Sequence, residues 1–205
     1  MERYEAQRQL FEEYMKVFLE LNQKINLLSS SEERWIWEKH IVDSLALSYF
    51  MEQFNYDYCG KQLLDVGTGG GFPALPLAIY YPKLKIVALD SIGKKINAIK
   101  QMIERLSLTN ISAALDRIEQ YEGKGDLVTA RAVAPLVRLL PLVASKVADG
   151  GYLIAYKGKK VEEELQTARR LLPKLHMVES VVLTYPLPID GNYRRSLVVL
   201  QKMGG

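Results

Sequence analysis

Apolar residues in the first part of the chain fall at helical spacing. Leu10, Tyr14, Val17, Phe18, Leu21, Ile25 and Leu28 form one stripe, which predicts an amphipathic helix over 2–28. Ser30 and Glu33 have the spacing of a capping box and predict a second helix carrying Trp35 and Trp37. Asp43 or Ser44 is positioned to cap a third, running through Leu45, Leu47 and Phe50. From Lys61 the rhythm changes. Short apolar runs (QLLDV, KIVALD, ISAAL, DLVTA and GYLIAY) alternate with helical stretches: FPALPLAIYY, 93–106, a short helix after ISAAL, PLVRLLPLVASKV and 161–172. Two further runs, MVESVVLTY and SLVVLQK, close the chain with only PLPIDGNYRR between them. Uniformly apolar strands alternating with helices signal a parallel sheet covered on both faces. Two strands joined by so short a link pair as an antiparallel hairpin. The pattern therefore divides into a helical extension (1–55) packed on an α/β domain (56–205), the two forming one structural unit.

Composition narrows the class without choosing a function. The chain has 205 residues, 48% hydrophobic and 25% charged, as expected of a globular protein. No apolar run approaches the roughly 20 residues that span a bilayer, and the N-terminus lacks a secretory core, so a cytoplasmic protein without a membrane partner is expected. One cysteine, Cys59, excludes an internal disulfide, and two histidines are too few for a structural zinc site, so no metal is expected. The net charge of +3 is compatible with a nucleic-acid partner but does not require one. A monomer is the expected form.

The sharpest feature is LLDVGTGGGFP, residues 63–73. A buried strand delivers Asp65, then Gly67, Gly69 and Gly71 at alternate positions, and a helix opens near Pro73. Glycines let a ligand approach the backbone closely, and in open α/β sheets ligands sit beyond the carboxyl ends of the strands. Dinucleotide sites prefer G-x-G-x-x-G, with the pyrophosphate on the helix N-terminus. Here the spacing is G-x-G-x-G with a carboxylate before it, which suits the sulfonium and ammonium charges of S-adenosylmethionine and would repel a pyrophosphate. Asp90, ending the second strand, is placed to accept from both ribose hydroxyls; its alternative role is to cap the next helix. Arg117, Ile118 and Glu119 follow the third strand, where an adenine ring would lie, with Ile118 the apolar surface. A parallel sheet ending in a hairpin, with this loop, is the Rossmann-like class I fold of S-adenosylmethionine-dependent methyltransferases, here seven-stranded.

Methyl transfer requires a nucleophile aligned with the S–CH3 bond. An exocyclic amine commonly calls for an N/D-P-P-Y/F loop after the fourth strand, where this chain reads TARAVAP. A pyrimidine ring carbon calls for a cysteine, yet Cys59 precedes the first strand. Guanine N7 needs neither, because its lone pair is free at neutral pH and no proton leaves before attack. No general base is therefore assigned. Arg131, in the loop after the fourth strand, is expected to contact cofactor or phosphate, or else to bridge loop carbonyls. The remaining cations gather by topology: Lys94 and Lys95 follow the second strand, Lys157, Lys159 and Lys160 the fifth, and Arg194 and Arg195 precede the last. An antiparallel final strand would bring all of them to the edge that holds the glycine loop, forming a basic rim for RNA.

Taken together, these segments resemble the bacterial small-subunit ribosomal RNA guanine-N7 methyltransferases, the glucose-inhibited division protein B family. The resemblance rests on INL (25–27), HIVDSL (40–45), LLDVGTGGGFPALPLAI, LDSIGKK (89–95), DRIE (116–119), ARAVA (130–134), YKG (156–158) and RSLVVL. It implies methylation of guanine N7 in 16S rRNA, on the small subunit or an assembly intermediate, with cofactor contacts at Gly67, Phe72, Ile118, Glu119 and Arg131. Two departures stand out. Ala74 replaces a glycine frequent in the family, tolerable unless its φ is positive, and the chain stops at QKMGG where many members carry a basic tail. His40, Trp35 and Trp37 read as structural residues on their own chemistry. The competing readings are a small-molecule methyltransferase, a non-catalytic RNA-binding module on the same fold and an NAD-dependent oxidoreductase.

Overall fold

The computed structural model describes residues 2–189 and 193–204. Part of the link between the last two strands, residues 190–192, therefore lies outside the described residues.

Helix α1 (Glu2–Ile25) presents Phe11, Tyr14, Val17, Phe18 and Leu21 to the core, all buried. Full burial of a large apolar side chain contributes roughly 1.5–3 kcal/mol, which makes this stripe the anchor of the extension. The stripe differs slightly from expectation, beginning at buried Phe11 with Leu10 only half-buried. The helix ends at Asn26, which takes a left-handed φ of 57°, a conformation that asparagine tolerates. Asn22 then ties the turn: its Oδ1 accepts from the Leu28 amide at 2.7 Å, and its Nδ2 donates to the Leu28 carbonyl and to Glu33.

The next segment departs from the expected helices. Helix α2 is a single turn (Ser30–Glu33) whose N-cap is Ser29, and Glu33 is occupied by Asn22, so the Ser30–Glu33 capping box does not form. A π-type segment over Ile36–Ile41 follows, with Trp35 at its N-cap and Trp37 inside it. Asp43 and Ser44 lie inside α3 (Val42–Leu45) and make no cap; Asp43 is used in tertiary contacts instead, and Ser44 Oγ donates to the His40 carbonyl one turn back. Helix α4 (Leu47–Gln53) completes the extension.

The rest alternates as the pattern requires: β1 (Gln62–Val66), α5 (Ala74–Tyr80), β2 (Lys85–Asp90), α6 (Gly93–Arg105), β3 (Ile111–Leu115), β4 (Gly125–Arg131), α7 (Leu136–Val143), β5 (Val147–Lys157), α8 (Val161–Ala168), β6 (Met177–Pro186) and β7 (Arg194–Lys202). Residues 116–121 form turns rather than the expected short helix, and α8 gives way to 3-10 turns after Ala168. The seven strands have the order β3-β2-β1-β4-β5-β7-β6, with β7 antiparallel to both neighbours and the remaining pairs parallel. Successive strand residues feed opposite cores. Leu63, Leu127 and Ile154 face α1, α5 and α6, whereas Leu64, Val128 and Leu153 face α7 and α8. Ala74 begins α5 without a positive φ, so the alanine is accommodated.

The order reverses between β1 and β4, and a crevice opens at such a switch point. The pairing of Lys157 with Ser196 brings the start of β7 to the edge where the parallel strands end. Among the described residues, no helix is long and apolar enough to cross a membrane, and no group of three or more His, Cys, Asp or Glu side chains is placed to hold a metal ion.

Candidate active site

Three hollows lie at that carboxyl edge. The first, about 220 Å³, sits over the switch point and is lined by Gly67, Asp90, Ser91, Ile118, Glu119 and Val133 among others. Gly67 follows β1 with φ +67°, and a Cβ built on it would come within 2.8 Å of Val133 Cγ2. No side chain fits there, which is why the loop needs glycine at this point. Gly71, at φ +92°, is closed in the same way by Leu75. Asp90 has both oxygens engaged, Oδ2 by the Gly69 amide and Oδ1 by the Ile92 amide, each at 2.9 Å. It thereby fastens the glycine loop to the start of α6. A carboxylate offers about four lone-pair sites, so two remain for a ligand.

Asp65 lies beneath the loop rather than in it. It is fully buried, and Oδ1 accepts from Thr129 Oγ1 at 2.8 Å. Its Oδ2 has no hydrogen bond of ordinary length among the described residues. Burial pushes its pKa up to about 7, against the pull of the neighbouring hydroxyls, the Ala74 amide and the Arg131 charge. The Phe72 ring turns away from the crevice into an aromatic group with Tyr14, Phe18 and His40.

Arg131 departs most from expectation. It is the last residue of β4, not part of the following loop, and its guanidinium points toward the extension. Nη1 donates to the His40 carbonyl at 3.1 Å, Nη2 meets His40 Nδ1, and Nε lies 3.3 Å from Asp43 Oδ2. The reason is Asp43. Its carboxylate is almost completely buried and gathers Arg131, Arg195 (3.2 Å) and the Tyr185 hydroxyl (2.6 Å), as a buried anion must. For Arg195, burial works most strongly against the charge, but Asp43 together with Tyr185 and Tyr193 outweighs it and holds the pKa above the ordinary value. His40 is driven the other way: burial, with the Arg131 charge, lowers its pKa to about 4. It is therefore neutral at pH 7, and if Nδ1 accepts from Arg131 the proton sits on Nε2. This group walls a second hollow of about 190 Å³, shared by Glu32, Lys39, Leu187 and Tyr193.

The third hollow, about 360 Å³, is lined by residues 132–135, Tyr156, Lys157, Gly158, Glu164 and Arg195. Ala132 enters it with φ +56°, a strained position for a residue with a Cβ. Lys157 is buried and donates to the Ala134 carbonyl and to Glu164 Oε2, both at 2.7 Å.

The basic rim thus divides. Lys94, Lys159, Lys160 and Arg194 are exposed and Lys95 is half-buried, whereas Lys157 and Arg195 are internal ion-pair partners and drop out of the solvent-facing set. Val133 and Glu164 were not singled out from the sequence. Val133 lies inside the ARAVA segment without a role assigned to it there, Glu164 belongs to no quoted motif, and only the packing of the loop after β4 and of α8 at the ends of β4 and β5 brings them to the edge.

The family model GidB, described as rRNA small subunit methyltransferase G, matches residues 7–188. Two proteins with the name Ribosomal RNA small subunit methyltransferase G are similar over nearly the whole chain. That of Staphylococcus saprophyticus is 39% identical over 95% of this chain and 82% of its own. That of Staphylococcus aureus is 37% identical, over 97% and 83%. In structure the chain resembles the magnesium protoporphyrin IX methyltransferase of Synechocystis. With bound SAM the TM-score is 0.65 at 17% identity, covering 85% of each chain. With bound SAH it is 0.62 at 15% identity, covering 85% of this chain and 88% of that one. At such identities the likeness concerns the fold.

Proposed function

The chain belongs to the rRNA small subunit methyltransferase G family, and from that premise we propose that it transfers a methyl group from S-adenosylmethionine to N7 of a guanine in 16S rRNA. The observation that carries this reading is the crevice itself. At the sheet's switch point it joins a glycine with no room for a Cβ, a carboxylate with lone pairs to spare and the apolar side chain of Ile118. Those residues fit S-adenosylmethionine. Asp90 would accept from the ribose hydroxyls, Ile118 would pack on the adenine, and Glu119 and the backbone at Gly67, Gly69, Gly71 and Phe72 would border the cofactor. Asp65, with one unbonded oxygen directly below the loop, would supply negative potential toward a sulfonium or ammonium group. Arg131 would act from behind the Phe72 ring, 5.6 Å from its centroid, by holding the loop after β4.

When bound, S-adenosylmethionine would supply an electrophilic methyl group for the N7 lone pair, the sulfur keeping the electrons of the S–C bond and the base taking the positive charge. The protein has no proton to remove before attack, so its contribution is alignment and electrostatics. Exposed Lys94, Lys159, Lys160 and Arg194, with half-buried Lys95, would hold the RNA backbone. Residues 1–55 are read as an extension working as one unit with residues 56–205, a reading the ion pairs of Asp43 support. The test is incubation with labelled cofactor and small subunits lacking the modification, followed by borohydride and aniline cleavage to map N7-methylguanine. A strand break at one guanine of 16S rRNA is expected. Label found only on adenine, cytosine or protein would overturn the substrate assignment.

A further inference from the structure

The 360 Å³ hollow beyond the loop after β4 is within the range of ligand pockets, roughly 300–1,000 Å³. Val133 lines both this hollow and the crevice over Gly67, so one side chain separates the two. The polar groups on its wall form a particular pair. Lys157 Nζ and Glu164 Oε2 lie 2.7 Å apart. Two of the ammonium's three donors go to Ala134 and Glu164, which leaves one. Both bonds that Glu164 accepts, from Lys157 and from the Leu136 amide at 2.8 Å, fall on Oε2. Oε1 is left to accept, on a side chain 26% exposed. A spare donor therefore sits next to a spare anionic acceptor, in a recess with Tyr156 and Pro135 on its walls.

Guanine presents the complement of that pair. Its Watson–Crick edge carries the O6 acceptor beside the N1–H and N2–H donors. Adenine reverses the polarity, placing a donor at N6 and a lone pair at N1, where a carboxylate would repel it. Reading guanine by this edge also leaves N7 uncovered, which methyl transfer requires. The usual Arg or Lys fork on O6 and N7 would occupy the reacting lone pair. Enzymes acting on a base draw it out of the stack and read that same edge.

We propose that this cavity receives the target guanine extruded from its RNA, with Glu164 Oε1 accepting from N1–H and N2–H and Lys157 Nζ donating to O6, while Val133 stands at the passage to the methyl donor. The proposal rests on the methyl-transfer reading above.

The test is a cycle between protein and base. Small subunits are reconstituted with 16S rRNA carrying either guanine or inosine at the mapped position; inosine lacks only the N2 amino group. The wild-type protein is expected to lose about tenfold or more in kcat/KM on inosine, the consequence of one hydrogen bond to a charged group. E164Q should be slower on guanine by a similar factor and treat the two particles alike within about twofold, with cofactor affinity unchanged. A merely structural Glu164 would leave the guanine-to-inosine ratio where the wild type has it, and that result overturns the proposal. So does a wild-type enzyme indifferent to inosine. Ala134→Phe fills the cavity while keeping both charged side chains and the backbone carbonyl that accepts from Lys157, and guards against a misfolded E164Q. It should bind S-adenosylmethionine normally and methylate guanine particles at least tenfold more slowly, and undiminished methylation would again overturn the assignment. Failure of the parent reading looks different, since the wild type would then leave guanine particles unmethylated.

Discussion

Asp43 Oδ2 and Arg131 Nε lie 3.3 Å apart with both side chains nearly excluded from water. This ion pair joins a helix of the extension to the end of β4, immediately before the strained Ala132 and the Val133 partition. The same carboxylate holds Arg195 at the start of β7. One buried anion thus fixes three segments around the methyl-transfer edge.

Removing that anion should be costly. D43N leaves two largely buried guanidinium groups without their buried counter-charge, a change of up to about 3–5 kcal/mol by analogy with other broken buried pairs. Urea unfolding should show the loss, and replacing Arg131 by Met in the same chain should recover part of it. A loss below about 1 kcal/mol would mean the network is not what orders this edge.

Asp90→Ala has two expected effects of different size. The Gly69 and Ile92 amides lose their acceptor, lowering stability by about 1–2 kcal/mol. Affinity for S-adenosylmethionine should fall further, by roughly tenfold to a hundredfold, as charge-assisted bonds to the ribose are lost. Calorimetric titration beside thermal unfolding separates the two. Reduced stability with unaltered affinity would confine Asp90 to the capping role.

The divided rim predicts a division among variants. K159A/K160A should weaken RNA binding and flatten its dependence on the logarithm of salt concentration by ~0.7 for each lost single-strand phosphate contact. Folding stability should be nearly unaffected, because both side chains are exposed. Arg195→Met should instead lower stability, since it leaves Asp43 one partner short. An unchanged salt slope in the lysine double variant would remove those two residues from the RNA interface.

Two buried groups should make stability depend on pH in opposite directions. Asp65 titrates near 7 in the folded protein, above the usual carboxylate value of 3.8, so the fold binds its proton more tightly than the unfolded chain does. Its contribution is full below pH 3.8 and is lost as pH rises through 7. His40, lowered from 6.5 to about 4, contributes fully above pH 6.5 and loses that contribution as pH falls through 4. Between pH 4 and 6.5 the two slopes oppose each other, amounting over their full windows to up to roughly 4 kcal/mol for Asp65 and roughly 3 kcal/mol for His40. D65N should expose a stability that rises with pH across that interval, and H40Q one that falls. Urea midpoints at several pH values give the slopes; if both variants kept the wild-type slope, neither group would control it.

Periodicity and glycine spacing were enough to read the class of fold, the final hairpin and the ligand edge. These features depend on local rules: apolar strands buried on both faces, a short link that cannot cross a sheet, and glycines at the positive-φ positions 67, 69 and 71. The family was legible too, because its motifs run in order along the chain. The roles of the charged side chains were not. Asp43 reads locally as a helix cap and Lys157 as a free rim cation, yet each is buried against a partner contributed by another element. Arg131 reads as a loop residue facing the cofactor, but the carboxylate that turns it away lies far back in the chain. A sequence fixes which backbone can form, since that is settled within a few residues. Which charge meets which is settled by desolvation once the strands and the extension have packed, and that requires the assembled tertiary structure.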